Sequence, residues 1–220
     1  MPTTTASTAL RASFERLAGG PLPHWNALDG VASRRALSAG EVLFHAGAPH
    51  PHIVCVIEGV LKMVYDTDDG KCWIKAFAEP GLSFASLTAL REGGRASFTA
   101  CAVGAALIER VPYAAVDRLA TQHTAWQRLL ANAFRLYGER KEQRELELLT
   151  LSAEERYQRF AAEHPALEAM LAQHEVAAYV RVTPVALSRI KARLRRAAAP
   201  TAAAATGAPA APPPRPAAQR

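Results

Sequence analysis

Apolar and polar positions follow three successive rhythms along the chain. From about Ala36 to Val116, short β-branched or aromatic runs are punctuated by Gly40, Gly47, Gly59, Gly70 and Gly81, spaced by 7, 12, 11 and 11 residues. Turn signals at such intervals predict an antiparallel barrel or roll of short strands. The clearest hairpin is Val60 to Phe77, where Asp68-Asp69-Gly70 separates one apolar run from the next. From His123 the period becomes helical: Trp126, Leu129, Leu130, Ala133, Phe134 and Tyr137 form a stripe on one face. The helix runs on to Leu149 through charges of both signs, longer than a roll needs, which predicts a seam with a second copy. Packing on its own roll alone is the plainer alternative. Gly138 costs about 1 kcal/mol in a helix interior and marks a weak point or bend.

Thr150-Leu151 breaks this pattern as a hinge, and Ser152-Ala153-Glu154-Glu155 reads as a capping box that starts a new helix, with Tyr157 and Phe160 on its buried side. The third rhythm runs from Gln173 to Arg196. Val176, Ala177 and Val180 make one apolar face; Thr183 then caps a second helix, and Pro184 takes a first-turn position where a missing N–H costs nothing. That helix buries Leu187, Ile190 and Leu194 and presents Ser188, Arg189, Lys191, Arg193, Arg195 and Arg196. Two short helices joined by a tight turn, the second with a cationic face, outline a major-groove reader; an ordinary solvated basic face is the alternative. Before the roll, Ala12 to Leu28 gives a weak helical pattern interrupted by Gly19-Gly20-Pro21 and Pro23.

Charge sharpens this picture. The formal net charge of +6 on 220 residues falls mainly on the C-terminal part, and Arg181 to Arg196 holds six basic residues and no acidic one. That imbalance suits a polyanion there. Cys55, Cys72 and Cys101 lie far apart with no Cys-x-x-Cys spacing, so they read as small core residues and indicate neither a disulfide framework nor a zinc ribbon. No signal peptide opens the chain and no run of about 18 strongly apolar residues occurs, so a cytoplasmic protein with no membrane partner is expected. Residues 197–220 are rich in Ala and Pro and read as a disordered tail.

The segment Gln-His-Glu-Val-Ala-Ala-Tyr-Val followed by Val-Thr-Pro-Val-Ala-Leu-Ser-Arg-Ile-Lys resembles the helix-turn-helix of the Crp/Fnr family of transcription regulators. Ser38-Ala39-Gly40-Glu41, Glu58-Gly59, Asp69-Gly70-Lys71 and Glu79-Pro80-Gly81 stand where that family's cyclic-nucleotide-binding-like β-roll carries its turns. The resemblance covers roughly residues 36–196. It implies an α+β fold: an antiparallel β-roll, a cupin-like jelly roll, followed by a long dimerisation helix and a winged helix-turn-helix. The corresponding segments are an N-terminal helical stretch (1–30), an effector-binding-like roll (31–118), a dimerisation helix and hinge (119–150), a DNA-binding domain (151–196) and the tail (197–220).

The resemblance also implies site residues. Relatives that bind a cyclic nucleotide carry Gly-Glu and later Arg-Ser; here the first pair falls on Ala85-Ser86 and the second on Arg95-Ala96 or Ala96-Ser97. Ala85, Ser86, Arg95 and Ser97 are therefore the effector-pocket candidates. Without a carboxylate at Ser86 the ribose contact is lost, which argues against cyclic AMP and leaves the small-molecule effector unknown. An iron–sulfur cluster of the Fnr kind needs an N-terminal cysteine cluster, and residues 1–54 have no cysteine. The resemblance implies double-stranded DNA as partner through Arg181, Thr183, Val185, Ser188, Arg189, Lys191 and Arg193. It implies a homodimer through Trp126, Leu130, Ala133 and Tyr137, with RNA polymerase as a further candidate partner. Arg181 takes a turn position usually held by glycine, and Val185 one where many relatives carry a glutamate.

The expected function is an effector-responsive, sequence-specific DNA-binding transcription regulator, not an enzyme. Two alternatives stay open. His50-Pro51-His52, with His45 before and Glu58 after, resembles the first metal motif of cupin-like enzymes, although no further histidine stands in Pro80 to Leu90 to close the site. Or the helix-turn-helix has degenerated into a protein contact on a β-roll signalling module.

Overall fold

The computed structural model describes residues 8–67 and 69–198. Its centre is a roll of short antiparallel strands: β1 (Ser33–Leu37), β2 (Val42–Phe44), β3 (His52–Glu58), β4 (Leu61–Asp66), β5 (Cys72–Ala78), β6 (Ser83–Phe84), β7 (Thr99–Ala102) and β8 (Ala106–Pro112). Among the described residues they pair in two four-stranded sheets, β1-β8-β3-β6 and β2-β7-β4-β5. Alternation along the strands sends Leu37, Val54, Val56, Leu61, Met63 and Ile108 into one core between the sheets. This is an antiparallel roll, as the glycine spacing predicts, and the jelly roll that the resemblance implies. Gly59 shows why one of those glycines is needed: its φ is +76°, and a Cβ there would lie 2.3 Å from the Ala105 carbonyl oxygen.

The β4–β5 hairpin carries one irregularity. Met63 pairs with Ala76 and Val64 with Ile74, so Lys75 is an extra residue on β5 with no opposite number on β4. Such a bulge turns a side chain out of the regular alternation.

Helices frame the roll. Helix α1 (Thr8–Ala18) and a 3-10 turn (Trp25–Leu28) precede it; α2 (Tyr113–Gln122) and α3 (Thr124–Thr150) follow. Residues 113–118, which the sequence placed in the roll, already belong to α2, because Val116, Leu119 and Ala120 find apolar cover at helical spacing. Phe14, Trp25 and Trp126 knit α1, the turn and α3 together: the two indoles stack at 5.8 Å, and Trp126 Nε1 donates to the Pro23 carbonyl at 2.8 Å. Helix α3 ends where expected, at Thr150.

Four helices complete the described chain: α4 (Ala153–Glu163), α5 (Pro165–Met170), α6 (Gln173–Val180) and α7 (Pro184–Ala198). The capping box is present, with Glu155 N–H donating to Ser152 Oγ at 3.3 Å and Ser152 N–H to the Glu155 carboxylate at 2.8 Å. Among the described residues no strand follows Pro112, so this module is helical throughout. The expected tail lies outside the described residues from position 199 onward.

Candidate nucleic-acid interface and effector cavity

Helix α7 is built as its pattern demands. Thr183 Oγ1 accepts the Ala186 N–H at 3.2 Å, and Leu187 and Ile190 are buried against α6 and its neighbours. At about 100° per residue, Val185, Ser188, Arg189 and Arg196 then share the opposite, outward face. Val185 is 61% exposed, and Ser188, Arg189, Arg195 and Arg196 are exposed as well. Among the described residues Arg189 makes no ion pair.

The two other predicted cations of this helix are engaged within the module. Lys191 pairs with Glu168 at 2.6 Å and lies over the Tyr157 ring; its ammonium holds the Glu168 carboxyl below the usual carboxylate range. Arg193 pairs with Glu154 of α4. These two flank the outward face and fasten α7 to α5 and α4 on either side. Spacing in one helix could not show this, since the partners come from other helices. Arg195 and Arg196, not singled out by the resemblance, are exposed on the same helix as Arg189.

Arg181 adopts the left-handed turn at φ 66° and ψ 49°, the conformation for which glycine is the usual choice. Its guanidinium stacks 4.6 Å from the Trp73 ring of β5. That contact belongs to a joint between the helical module and the roll. Phe77 of β5 meets Tyr179 at 5.4 Å and Phe160 at 6.3 Å, and Val60, Phe77 and Val103 of the roll share one apolar cluster with Phe160, Val176 and Val180. Lys62 of β4 pairs with the buried Glu175, which also accepts the Ala172 N–H at 3.1 Å. His164 Nδ1 lies 3.2 Å from the Glu79 carboxylate, and Arg144 of α3 donates to the Tyr179 carbonyl.

The seam residues separate in the same way. Trp126 is wholly buried in the aromatic cluster with Trp25 and Phe14, so the expectation that it meets a second subunit is corrected: its partners are intramolecular. Leu130 leans on the same cluster, and Ala133 and Tyr137 are partly buried. The exposed apolar side chains of α3 are Phe134, Leu146, Leu148 and Leu149.

The effector candidates gather in one loop without forming a pocket. Ser86 is fully buried; its Oγ accepts the Ser97 N–H at 3.0 Å and lies 3.1 Å from Thr88 Oγ1. Arg95 is exposed and donates to the Gly47 carbonyl at 2.8 Å. The loop is tight: a Cβ on Gly94 would meet the Thr88 carbonyl oxygen at 2.1 Å. Of the four, only Ala85 lines a cleft of about 1190 Å³ bounded by the roll, α3 and the helical module. Met63, Phe84, Leu130 and Phe134 contribute to its largely apolar wall, and Lys75 to its polar part. A motif fixes position along the chain and does not say which side chains wall a cavity.

The cupin-like histidines do not converge with their proposed carboxylate. His45 is exposed on one side, Glu58 is exposed at the far end of β3, and among the described residues no group of three or more metal-capable side chains occurs. His50 and His52 are neighbours, with ring centroids 5.0 Å apart; His50 stacks on Phe44 at 4.2 Å. Both nitrogens of His50 and Nδ1 of His52 are buried without a hydrogen-bond partner, and burial, with His52 beside it, pushes His50 down to about 4.

Comparison with known proteins places this architecture. Residues 34–123 match the family model of the cyclic nucleotide-binding domain. FixK2 from Bradyrhizobium japonicum superposes with a TM-score of 0.63 at 20% identity, over 76% of this chain and 86% of that one. CLP of Xanthomonas campestris, a c-di-GMP responsive global regulator, gives 0.62 at 14% identity over 84% and 92%. The sensor domain of the transcriptional regulator DNR from Pseudomonas aeruginosa gives 0.51 at 22% identity over 66% and 93%. No curated protein sequence matches the chain. Residues 34–123 thus resemble a cyclic nucleotide-binding domain, and the chain shares with these proteins the fold of a jelly roll followed by helices. None of its described helices is long and apolar enough to cross a membrane.

Proposed function

We propose that the protein is an effector-responsive, sequence-specific DNA-binding regulator of transcription that acts as a homodimer in the cytoplasm, with RNA polymerase as a further candidate partner. The observation that carries this is the outward face of α7, where Val185, Ser188 and Arg189 stand exposed on a capped helix while Lys191 and Arg193 lock its flanks. Arg189 reads guanine, because its planar fork matches the two acceptors of that base, and Ser188 adds a contact beside it. Val185 cannot accept from cytosine and meets a thymine methyl. Thr183 is spent on the cap and Arg181 on Trp73, so both position the helix. Arg195 and Arg196 supply phosphate contacts.

Phe134 and, beyond a charged stretch, Leu146, Leu148 and Leu149 support the homodimer: they leave apolar surface on α3 exposed, which a second helix would bury. A site obtained by selection from genomic fragments provides the test. Arg189→Ala is expected to cost about 1–3 kcal/mol on that site in an anisotropy titration and to leave random DNA nearly unaffected. An equal loss on both would make Arg189 a phosphate contact and remove the base-reading assignment.

A further inference from the structure

The inner face of the β1-β8-β3-β6 sheet changes character toward the end where β3 begins. Leu37, Ile108 and Val54 belong to the apolar core. Two residues further along each strand, on the same face, stand Arg35 on β1, Arg110 on β8 and His52 on β3. The pairing keeps them close: Arg110 lies opposite Val54 on one side and Ser33 on the other, and His52 lies opposite Pro112. A sheet that is apolar over most of its inner face thus ends in two guanidiniums and an imidazole.

Their charges are not equally matched. Arg35 pairs with Glu41 at 2.8 Å. Glu109 faces the other side of the sheet, where it accepts the Leu10 N–H at 3.3 Å and lies 3.6 Å from Arg34. Arg110 donates through Nε to the Ser33 hydroxyl at 3.1 Å, and among the described residues it has no carboxylate partner. Beside it, His50 is 6% exposed, stacks on Phe44 and has its ring 5.0 Å from that of His52; three nitrogens of the two rings are buried without a hydrogen-bond partner. Burial, and after it the Arg110 charge, holds both imidazoles below the ordinary histidine value, so each is neutral and brings one N–H donor. Helix α2 starts at the same place. Its N-cap, Pro112, offers no side-chain cap, its first turn has no acidic residue, and the Tyr113 N–H goes to the Pro51 carbonyl. The positive end of this helix therefore adds to the Arg110 charge.

Two neighbouring imidazoles can begin a metal site, but a guanidinium and a helix N-terminus repel a cation, and among the described residues no third ligand joins them. An anion meets the opposite situation. It gives Arg110 its missing counter-charge and the buried rings an acceptor, and a guanidinium fork, imidazole N–H groups and helix amides together suit an oxyanion. We propose that this end of the roll binds a small tetrahedral oxyanion, free phosphate or a phosphoryl group, with Arg110 and His52 as its direct contacts and His50 as the buried donor behind them. The site is separate from the cleft, whose wall includes none of Arg35, His50, His52 and Arg110. It goes beyond the DNA-binding reading and does not rest on it. Occupancy ties β3 and β8 to the start of α2, the helix that leads into α3.

Calorimetry on the full chain tests this with inorganic phosphate and glycerol 3-phosphate as probes and Zn²⁺ as the rival. Saturable binding of at least one phosphate compound is expected, with a Kd of about 1 mM or tighter. Equal affinity for the two marks a site open to a carried phosphoryl group, and glycerol 3-phosphate about tenfold weaker marks a site for the free ion. Arg110→Gln is expected to weaken binding about tenfold or more, while Arg34→Gln, which removes the same charge from the other face of the sheet, changes it less than about twofold. Thermal melting checks that each variant keeps the roll. If Arg110→Gln melts early, the wild type still decides through its imidazole NMR signals, because phosphate should shift those of His50 and His52 and leave those of His24 and His174 in place. No saturable binding of either phosphate compound, equal weakening by Arg34→Gln and Arg110→Gln, phosphate shifts absent from His50 and His52, or Zn²⁺ binding that His52→Gln abolishes would each overturn the assignment.

Discussion

Two joints hold helices onto the same β-roll, and they are made of different matter. At the first, Trp126, Trp25 and Phe14 fasten α3 and α1 through stacked and edge-on rings that are almost wholly dry. At the second, the helical module meets β4 and β5 through a small aromatic contact bordered by Lys62 with Glu175, Arg181 with Trp73 and His164 with Glu79. Dry aromatic packing has no cheap alternative in water, whereas ion pairs and exposed rings exchange readily for hydration. The first joint is therefore the costlier to open, and the second, with its polar border, the cheaper. We propose that an effector signal in the roll reaches α7 through a shift in the population of a form in which the second joint is open.

Substitutions at three positions probe that contrast. The largest effect is expected from Trp126→Ala, which empties the centre of the dry joint and should cost about 3–5 kcal/mol in urea unfolding of the whole chain. A loss confined to one or two tenths of that would show that the aromatic cluster is not what anchors α3. Glu175→Gln comes next. It keeps an acceptor for the Ala172 N–H but leaves Lys62 unpaired, at a cost of about 1–3 kcal/mol to the joint alone. Hydrogen exchange should quicken across 153–198 with α1 and the first turns of α3 unchanged; uniform quickening would mean that the two joints open together. The smallest effect belongs to Arg181. Arg181→Ala loses about 0.5–1 kcal/mol of cation–π attraction and keeps the left-handed strain, while Arg181→Gly loses the same attraction and relieves roughly 1 kcal/mol of strain. Differential unfolding should rank glycine at or above the wild type and alanine below it; the reverse order would mean that the Trp73 contact dominates.

The helix-turn-helix was legible because its signals are local. Thr183 caps, Pro184 starts, and Leu187 and Ile190 repeat on one side, all within a few residues of chain. The roll was legible for a related reason, since glycine at Gly59 is demanded by its own backbone and the Ala105 carbonyl facing it. The partner of Trp126 was not legible, because a helical stripe says which face is apolar and not what covers it; α1, from the far side of the roll in sequence, covers it. Lys191 and Arg193 read as free cations because Glu168 and Glu154 lie on other helices. Lys75 was invisible for a subtler reason. Alternation would have set it on the outside of β5 with Phe77, and only the extra residue in the pairing with β4 turns it inward.

The Arg181–Trp73 contact also gives the molecule an optical gauge of its own state. The chain has three tryptophans. Trp25 and Trp126 are stacked on each other and buried in the dry joint. Trp73 alone sits at the second joint, its ring beneath a guanidinium carried by the turn that leads into α7. In the proposed opening this indole exchanges a cation for water, and its emission is expected to shift while that of the other two stays unchanged. Opening can thus be timed in unlabelled protein from a single intrinsic fluorophore.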